Sequence, residues 1–479
     1  MTPPESDPPA PSGEHPLGST ERPLRVAVIG AGPAGFYAAD SLFKRAGLTA
    51  YVDLFDRLPA PYGLVRYGVA PDHPGIKKVI KTYDRVASHE RFRFFGNVQL
   101  GRDVQVADLR RLYDRICYTV GAETDRRMGI PGEDLAGSHS STRFVGWYNG
   151  HPDHRDLRFD LSGERAAVIG IGNVAMDVCR ILLRSREELA KTDIAAHALE
   201  VLRGSRVREV LLLGRRGPAQ AAFTPKEIRE LGELDGVDLV VRPEDLEGAG
   251  GGDAPDDYNV RKNLEYLAVA AARGEGDREK KVRLRFFASP VEILGEDGRV
   301  SAIRVERTEL VPDERGTLRA RGTGRVETVP VQLVVRAIGY RGVPLEGVPF
   351  HERWGVICND DGRVTDGEGG AVVPHEYVAG WAKRGPTGLV GTNKGCAADT
   401  VARLVEDLEG CTAAALPASW ADETPALLDA RGVRWVSFDD WRALDRHEVE
   451  RGASAGKPRE KVVVPDEMLA VVEASRART

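Results

Sequence analysis

Two glycine runs in this chain have the spacing that cradles a pyrophosphate. The first, Gly30-Ala31-Gly32-Pro33-Ala34-Gly35, follows the apolar run Leu24–Ile29. The second, Gly170-Ile171-Gly172-Asn173-Val174-Ala175, begins about 140 residues later, after Ala166–Ile169. Between a strand and a helix, the first glycine permits a sharp turn and the second lets backbone approach phosphate oxygens. The third lets helix and strand pack closely, and alanine at 175 still allows this. The free N–H groups and positive pole of the helix start then face the phosphates. One such motif points to one dinucleotide; two point to a chain that holds two and passes electrons between them.

The strand after each motif ends differently. Ala50–Phe55 runs into Asp56, 21 residues after Gly35, where a carboxylate can accept hydrogen bonds from ribose hydroxyls. The second unit reaches its strand, Val207–Leu213, only after an inserted helical segment, and that strand ends in Gly214-Arg215-Arg216-Gly217. An acid repels a 2′-phosphate, whereas two guanidiniums grip it bidentately. The first site is therefore expected to take a nucleotide with a free ribose and the second to take NADP.

Other residues are less specific. The loop Pro59–Pro74 is too punctuated by Pro and Gly for helix or strand, and loops on a rigid scaffold often carry function. Its one histidine, His73, suits either backbone hydrogen bonding or a place near a cofactor. Glu227, by position alone, is a solvated helix-face acid. A β run, Val331–Ala337, precedes Ile338-Gly339-Tyr340. Later a strand at Tyr377–Ala379 enters the glycine-rich loop Gly380–Asn393, and a helical pattern spans Ala397–Leu408. Trp381 in that loop is either core or a neighbour of a flavin ring.

The elements that must position these residues fill 479 residues, enough for two or three domains. The composition, 42% hydrophobic and 29% charged, is that of an ordinary globular protein, and no apolar run reaches the roughly 20 residues that span a bilayer. The first 22 residues, rich in Pro, Ser and Glu, read as a disordered tail, with neither a secretory h-region nor the arginines of a mitochondrial presequence. Five scattered cysteines with no C-x-x-C point to a reducing, cytoplasmic setting, and argue against both a bound iron–sulfur cluster and a redox-active thiol pair. The net charge of −6 gives no hint of nucleic-acid binding.

The order of motifs implies an α/β protein with two Rossmann-like dinucleotide-binding domains. The first is discontinuous, 23–124 and 345–411, and the second, 125–344, is inserted in it. The stretch Glu247–Asp257 reads as a surface loop of the insertion. Residues 412–479, with helix or strand patterns at Pro425–Arg431, Val433–Phe438 and Asp439–Glu448, form an appendage packed on the first domain. Within it Lys457–Lys461 reads as a solvated loop.

Val26–Gly35, Pro61–Pro74 with its Gly-Leu-Val-Arg-Tyr-Gly-Val-Ala-Pro-Asp-His-Pro core, Phe144–Gly150, Gly172–Asp177, Gly214–Thr224 and Lys383–Asn393 together resemble the adrenodoxin-reductase type of ferredoxin–NADP reductase, including its bacterial members. The resemblance covers about residues 22–410 and implies a glutathione-reductase-like fold with FAD in the first site and NADPH in the second. It implies FAD contacts from the fingerprint Gly30, Gly32, Ala34 and Gly35, and from Asp56, Leu64, Leu100, Trp381, Gly388, Leu389 and Val390. For NADP it implies Ile171, Gly172, Asn173, Val174, Arg215, Arg216, Glu227 and Gly388. Glu227 is thereby moved to the nicotinamide end, and His73 and Asp177 match a histidine and an aspartate near the flavin. These three are candidates for tuning flavin or nicotinamide, and Gly388 is expected to leave room for the two rings to stack. Asp56 stands where relatives often carry Glu. The Glu247–Asp257 loop and Lys394-Gly395-Cys396 also diverge.

The implied activity is that of an NADPH:ferredoxin oxidoreductase: hydride from NADPH to FAD, then single electrons to a ferredoxin-type iron–sulfur protein. An acidic ferredoxin needs a basic dock, with Arg229, Arg261 and Lys262 as candidates. Another NADPH-dependent flavin oxidoreductase, an electron-input subunit, and a non-catalytic NADPH- or FAD-binding regulator are the alternatives.

Overall fold

The computed structural model describes residues 13–247 and 257–478. Two sheets organise it. The first has seven strands in the spatial order Asn359–Asp360, Arg363–Thr365, Val372–Val378, Arg115–Tyr118, Leu24–Ile29, Ala50–Phe55 and Phe92–Phe95. The last five lie parallel, and the first two add an antiparallel edge. The second sheet has six parallel strands in the order Val237–Val241, Lys280–Arg285, Glu209–Leu213, Arg165–Ile169, Leu333–Arg336 and Ser138–Ser140. Strands such as Val26–Ile29 and Ala166–Ile169 are apolar throughout because helices cover both faces of such sheets.

The chain leaves the first sheet after Tyr118, builds the second, and returns at Asn359. Its two crossings lie side by side, Thr124–Asp125 pairing antiparallel with Tyr340–Arg341. A three-stranded antiparallel ribbon, Ala288–Glu296, Arg299–Pro312 and Leu318–Pro330, projects from the second sheet. No pattern in the sequence signals this ribbon. Its outer strand is exposed along nearly its whole length, so it carries no alternating apolar signal.

Several expectations need correction. Residues 1–12 lie outside the described residues, but 13–22 are tied down. His15–Pro16 pair with Thr412–Ala413, and the guanidinium of Arg22, 5% exposed, donates to Asp114 at 2.7 Å. The loop Pro59–Pro74 contains a helical turn, Leu64–Tyr67, and at its end Pro74 starts another, Pro74–Lys77. In the appendage, Val433–Phe438 is no strand. Only Val436 bridges, to Gly96, between helices Glu423–Ala430 and Phe438–Ser454.

Both lysines of the Lys457–Lys461 segment are buried rather than solvated, because their ammonium groups have partners. Lys457 donates to Ile194 O at 2.6 Å, and Lys461 to Asp193 O at 3.2 Å. Phe438, Trp441, Leu444 and Met468 of the appendage share one core with Val26, Phe36 and Phe92 beneath the first sheet. Of the stretch Glu247–Asp257, residues 248–256 lie outside the described residues.

Candidate functional site

Each glycine fingerprint is a turn that only glycine fits, followed by an open cradle. Gly30 has φ +112°, and a Cβ there would press on Thr119 backbone at 3.0 Å. A Cβ on Gly35 would come within 2.2 Å of Gly30 O, so helix Pro33–Phe43 can lie against its strand only without one. At Gly32 a Cβ would meet nothing within 4 Å, and the helix start has no side-chain cap, which leaves its first N–H groups available to an anion. Both Asp56 oxygens hold this turn, accepting from Ala31 N at 2.8 Å and Leu58 N at 2.9 Å. Burial raises the Asp56 carboxyl above its usual range against the pull of those N–H groups.

The second cradle repeats the geometry. Gly170 has φ +119° and sits where a Cβ would be 2.2 Å from Ala337 O. Gly172 opens onto free space at the uncapped start of helix Asn173–Leu183. Ile171 O accepts from Ala222 N and Asn173 Oδ1 from Thr224 N, both at 2.9 Å, while Val174 packs against the core. Arg215 and Arg216 are exposed beyond strand Glu209–Leu213, and among the described residues neither guanidinium makes a hydrogen bond or ion pair. A free pair of planar forks at this place suits a phosphate dianion. The open glycines, uncapped helix starts and free guanidiniums fit two dinucleotides.

The remaining predicted residues divide in two groups. Leu64 opens the turn Leu64–Tyr67, whose neighbour Gly63 would carry a Cβ 3.0 Å from Gly32 Cα, so this turn abuts the first cradle. Gly380 likewise sits where a Cβ would be 2.5 Å from that of Ala34, which lays the Gly380–Asn393 loop over the same cradle. In that loop Trp381 donates from Nε1 to Thr387 O at 3.2 Å, its ring 5.4 Å from Tyr340. Leu389 is exposed, Val390 packs on the core, and Leu100 is buried under the first sheet. Glycine at 388 also has a cause within the chain itself. Its φ is +78°, and a Cβ would strike the Thr392 side chain at 2.7 Å.

His73, Asp177 and Glu227 come together, with ligand atoms within 4.8 Å of one another. Glu227 is 6% exposed, which overturns its reading as a solvated acid. Its partner is Arg180, fully buried on the helix of the second cradle, which donates to Glu227 at 2.7 Å, to Asp72 at 3.0 Å and to Asp177. The Nε2 of His73 lies 2.8 Å from both the Arg180 guanidinium and the Glu230 carboxylate. With a proton there it donates to Glu230, and without one it accepts from Arg180.

Burial pushes Asp177 up to about 7, and the charges of Glu227 and Asp72 reinforce this against Arg180. Asp72, although burial opposes it, is held below the usual carboxylate range by Arg180. A cavity of about 270 Å³ lined by Asp72, His73, Arg184 and Glu230 leads from this junction to the surface. Asp72, Arg180 and Glu230 were missed in the sequence. The one available signal was a lone arginine in the apolar run Met176–Leu183, which a buried helix tolerates only opposite carboxylates.

Two open cradles on two parallel sheets define a two-dinucleotide oxidoreductase fold. Residues 24–230 match the family model described as pyridine nucleotide-disulphide oxidoreductase. The chain is 47% identical to NADPH-ferredoxin reductase FprA of Mycobacterium tuberculosis, covering 94% of this chain and 99% of that one. It is 44% identical to the mitochondrial NADPH:adrenodoxin oxidoreductase of Homo sapiens, covering 96% and 94% respectively. The solved structure of Mycobacterium tuberculosis FprA in complex with NADPH superposes with a TM-score of 0.88, at 46% identity, over 94% of this chain and all of that one. This chain belongs to the family of NADPH-dependent ferredoxin and adrenodoxin reductases.

Proposed function

We propose that this protein is an FAD-dependent NADPH:ferredoxin oxidoreductase, with FAD on the Gly30–Gly35 cradle and NADPH on the Gly170–Ala175 cradle. The observation that carries this reading is the unlike ending of two like cradles: Asp56 bound into one turn, and two unpaired guanidiniums, Arg215 and Arg216, beyond the other. The FAD-binding domain is 23–124 with 345–411, the NADP-binding domain is 125–344, and 412–479 packs on the former.

When bound, the flavin supplies the conversion between hydride and single-electron chemistry. The chain's own residues bind and orient. Arg215 and Arg216 anchor the 2′-phosphate. Gly32 and Gly172 admit pyrophosphates, and Leu64, Leu100, Trp381, Leu389 and Val390 contribute the walls of the first site. His73, Asp177 and Glu227, joined by Arg180 and Glu230, hold and move a proton at His73 Nε2 and set the charge facing the reacting rings. No side chain acts as a nucleophile.

The partner is a ferredoxin-type iron–sulfur protein. Arg229 and Arg261 are exposed on helices Pro225–Gly232 and Tyr258–Arg273, which pack together, and Lys262 lies beside Arg261 in a pair with Glu265. These cations are the candidates for docking an acidic partner. Among the described residues no helix is long and apolar enough to cross a membrane. The cytoplasmic placement rests on the scattered, odd cysteine set.

Anaerobic addition of NADPH to the purified yellow protein should bleach its flavin, and a ferredoxin should then support cytochrome c reduction that weakens as salt rises. Bleaching without ferredoxin dependence would keep the flavoenzyme and remove the partner. A colourless protein would sink the reading.

A further inference from the structure

The Arg215–Arg216 segment is a loop end with exposed side chains, yet its backbone is held at three successive carbonyls. Gly214 O accepts from Ala288 N at 2.9 Å, Arg215 O from Thr308 Oγ1 at 2.7 Å, and Arg216 O from Phe287 N at 3.2 Å. The donors lie at the base of the projecting ribbon, Phe287 just before its first strand, Ala288 at the start of that strand and Thr308 on the second. The parallel sheet does not need this ribbon to cradle a dinucleotide.

The ribbon is irregular at this place. Phe287 is a non-glycine residue at φ +52°, a left-handed conformation that costs energy and persists only where its surroundings impose it. Those surroundings include the Arg307 guanidinium, 5.2 Å above the Phe287 ring, and Asp245, fully buried, which accepts from Phe286 N at 2.9 Å and from Arg307. The ladder to the outer strand shifts register between Glu306 and Thr308, and such irregularities re-aim side chains next to functional loops. Thr308 itself is 6% exposed and is fixed by its own N–H, which donates to Phe287 O at 2.8 Å.

We infer that Thr308 is a positioning residue for 2′-phosphate recognition: its hydroxyl fixes the Arg215 carbonyl and so presents both guanidiniums in the orientation that a phosphate fork requires. The inference rests on the NADP reading of the second cradle. A bidentate fork gains from orientation set before binding, because two long side chains on a wandering loop would otherwise lose that freedom on binding. Of the three carbonyl clamps, this is the one made by a side chain and hence removable without touching the backbone.

The test uses the flavin-loaded protein, with 2′,5′-ADP and 5′-ADP as probes followed by calorimetry. Thr308→Val keeps the shape and removes the donor. Its Kd for 2′,5′-ADP should rise ~3–10-fold, the worth of one hydrogen bond, while that for 5′-ADP stays the same. Thr308→Ser, which keeps the hydroxyl, should restore tight 2′,5′-ADP binding. The KM for NADPH should follow 2′,5′-ADP, and the KM for NADH should follow 5′-ADP.

Unchanged 2′,5′-ADP binding in Thr308→Val would overturn the inference. So would equal weakening of both probes, or a protein that does not fold, since either assigns Thr308 to general stability. A wild-type protein that does not prefer 2′,5′-ADP over 5′-ADP would instead remove the NADP reading on which the inference stands.

Discussion

At the scale of single residues, the electrostatics gather on Arg180, one buried guanidinium facing Asp72, Asp177 and Glu227. Arg184, 3.3 Å from Asp72, adds a second positive charge. Two guanidiniums still cannot compensate three carboxylates, so one carboxyl keeps a proton, and burial selects Asp177, pushed up to about 7. The native state then holds a proton that the unfolded chain releases near 4, so Asp177 makes stability fall as pH rises from about 4 to about 7. Asp177→Asn removes this dependence. Chemical denaturation at about pH 5 and about pH 7.5 should show a smaller loss between the two in the variant than in the wild type, and equal losses would place the proton elsewhere. Arg215 and Arg216 give a second prediction. Replacing both with Ala should raise the KM for NADPH ~10–100-fold and leave that for NADH nearly unchanged, whereas equal effects on both would refute their role. The contrast between these sites shows what the sequence made legible. Gly30–Gly35, Asp56 and Arg215–Arg216 are set by local spacing around a strand and could be read directly. The Arg180 junction joins residues far apart in the chain, Asp72 to Arg180 and Arg180 to Glu227, and local pattern carries no trace of such a pairing.

At the scale of elements, the parallel strands and their crossover helices were legible because each is an apolar run between turn residues. The ribbon and the appendage were not, since the ribbon's outer strand is exposed on both faces and the appendage shows its purpose only when docked. The appendage helix Phe438–Ser454 carries Glu448, fully buried, which accepts from both terminal nitrogens of Arg66, at 2.9 and 2.5 Å, and from Val462 N at 2.9 Å. Arg66 belongs to the turn Leu64–Tyr67 beside the first cradle, and its guanidinium also lies 5.0 Å from the Trp441 ring centroid. The appendage thus buttresses a wall of the proposed flavin site. Glu448→Ala strands the Arg66 charge in the interior and should destabilise the protein by about 3–5 kcal/mol, with weaker flavin retention, measured by denaturation and by flavin release on heating. A loss below about 1 kcal/mol would mean that Arg66 finds another acceptor.

At the scale of the whole molecule, the appendage meets both dinucleotide-binding units at one buried point. Asp193, between helices of the second unit, takes Lys77 from the first at 2.7 Å and Lys461 from the appendage at 3.3 Å. The carboxylate is held well below its usual range, against its burial, by these two lysines. A single carboxylate neutralises one ammonium, so the second is in excess. Lys461 is the more enclosed, its side chain 1% exposed against 13% for Lys77, and burial pushes it down to about 7. The like charges of Lys77 and Arg66 act in the same direction, while Asp193 and Glu448 oppose them. Lys461 therefore gives up its proton near neutrality in the native state, and the unfolded chain keeps it to about 10.4. Above about 7 the unfolded state binds more protons, so stability rises with pH, by roughly 2 kcal/mol between about pH 7 and about pH 9. Lys461→Met fills the same volume without titrating and leaves Lys77 and Asp193 as a matched pair. Its stability should be higher than the wild type's at neutral pH, and the rise should be absent. If the rise persists in Lys461→Met, the proton that leaves belongs to Lys77, and Lys77→Met should abolish it instead. In either case the joint among the two units and the appendage is tighter when this site holds one positive charge than when it holds two.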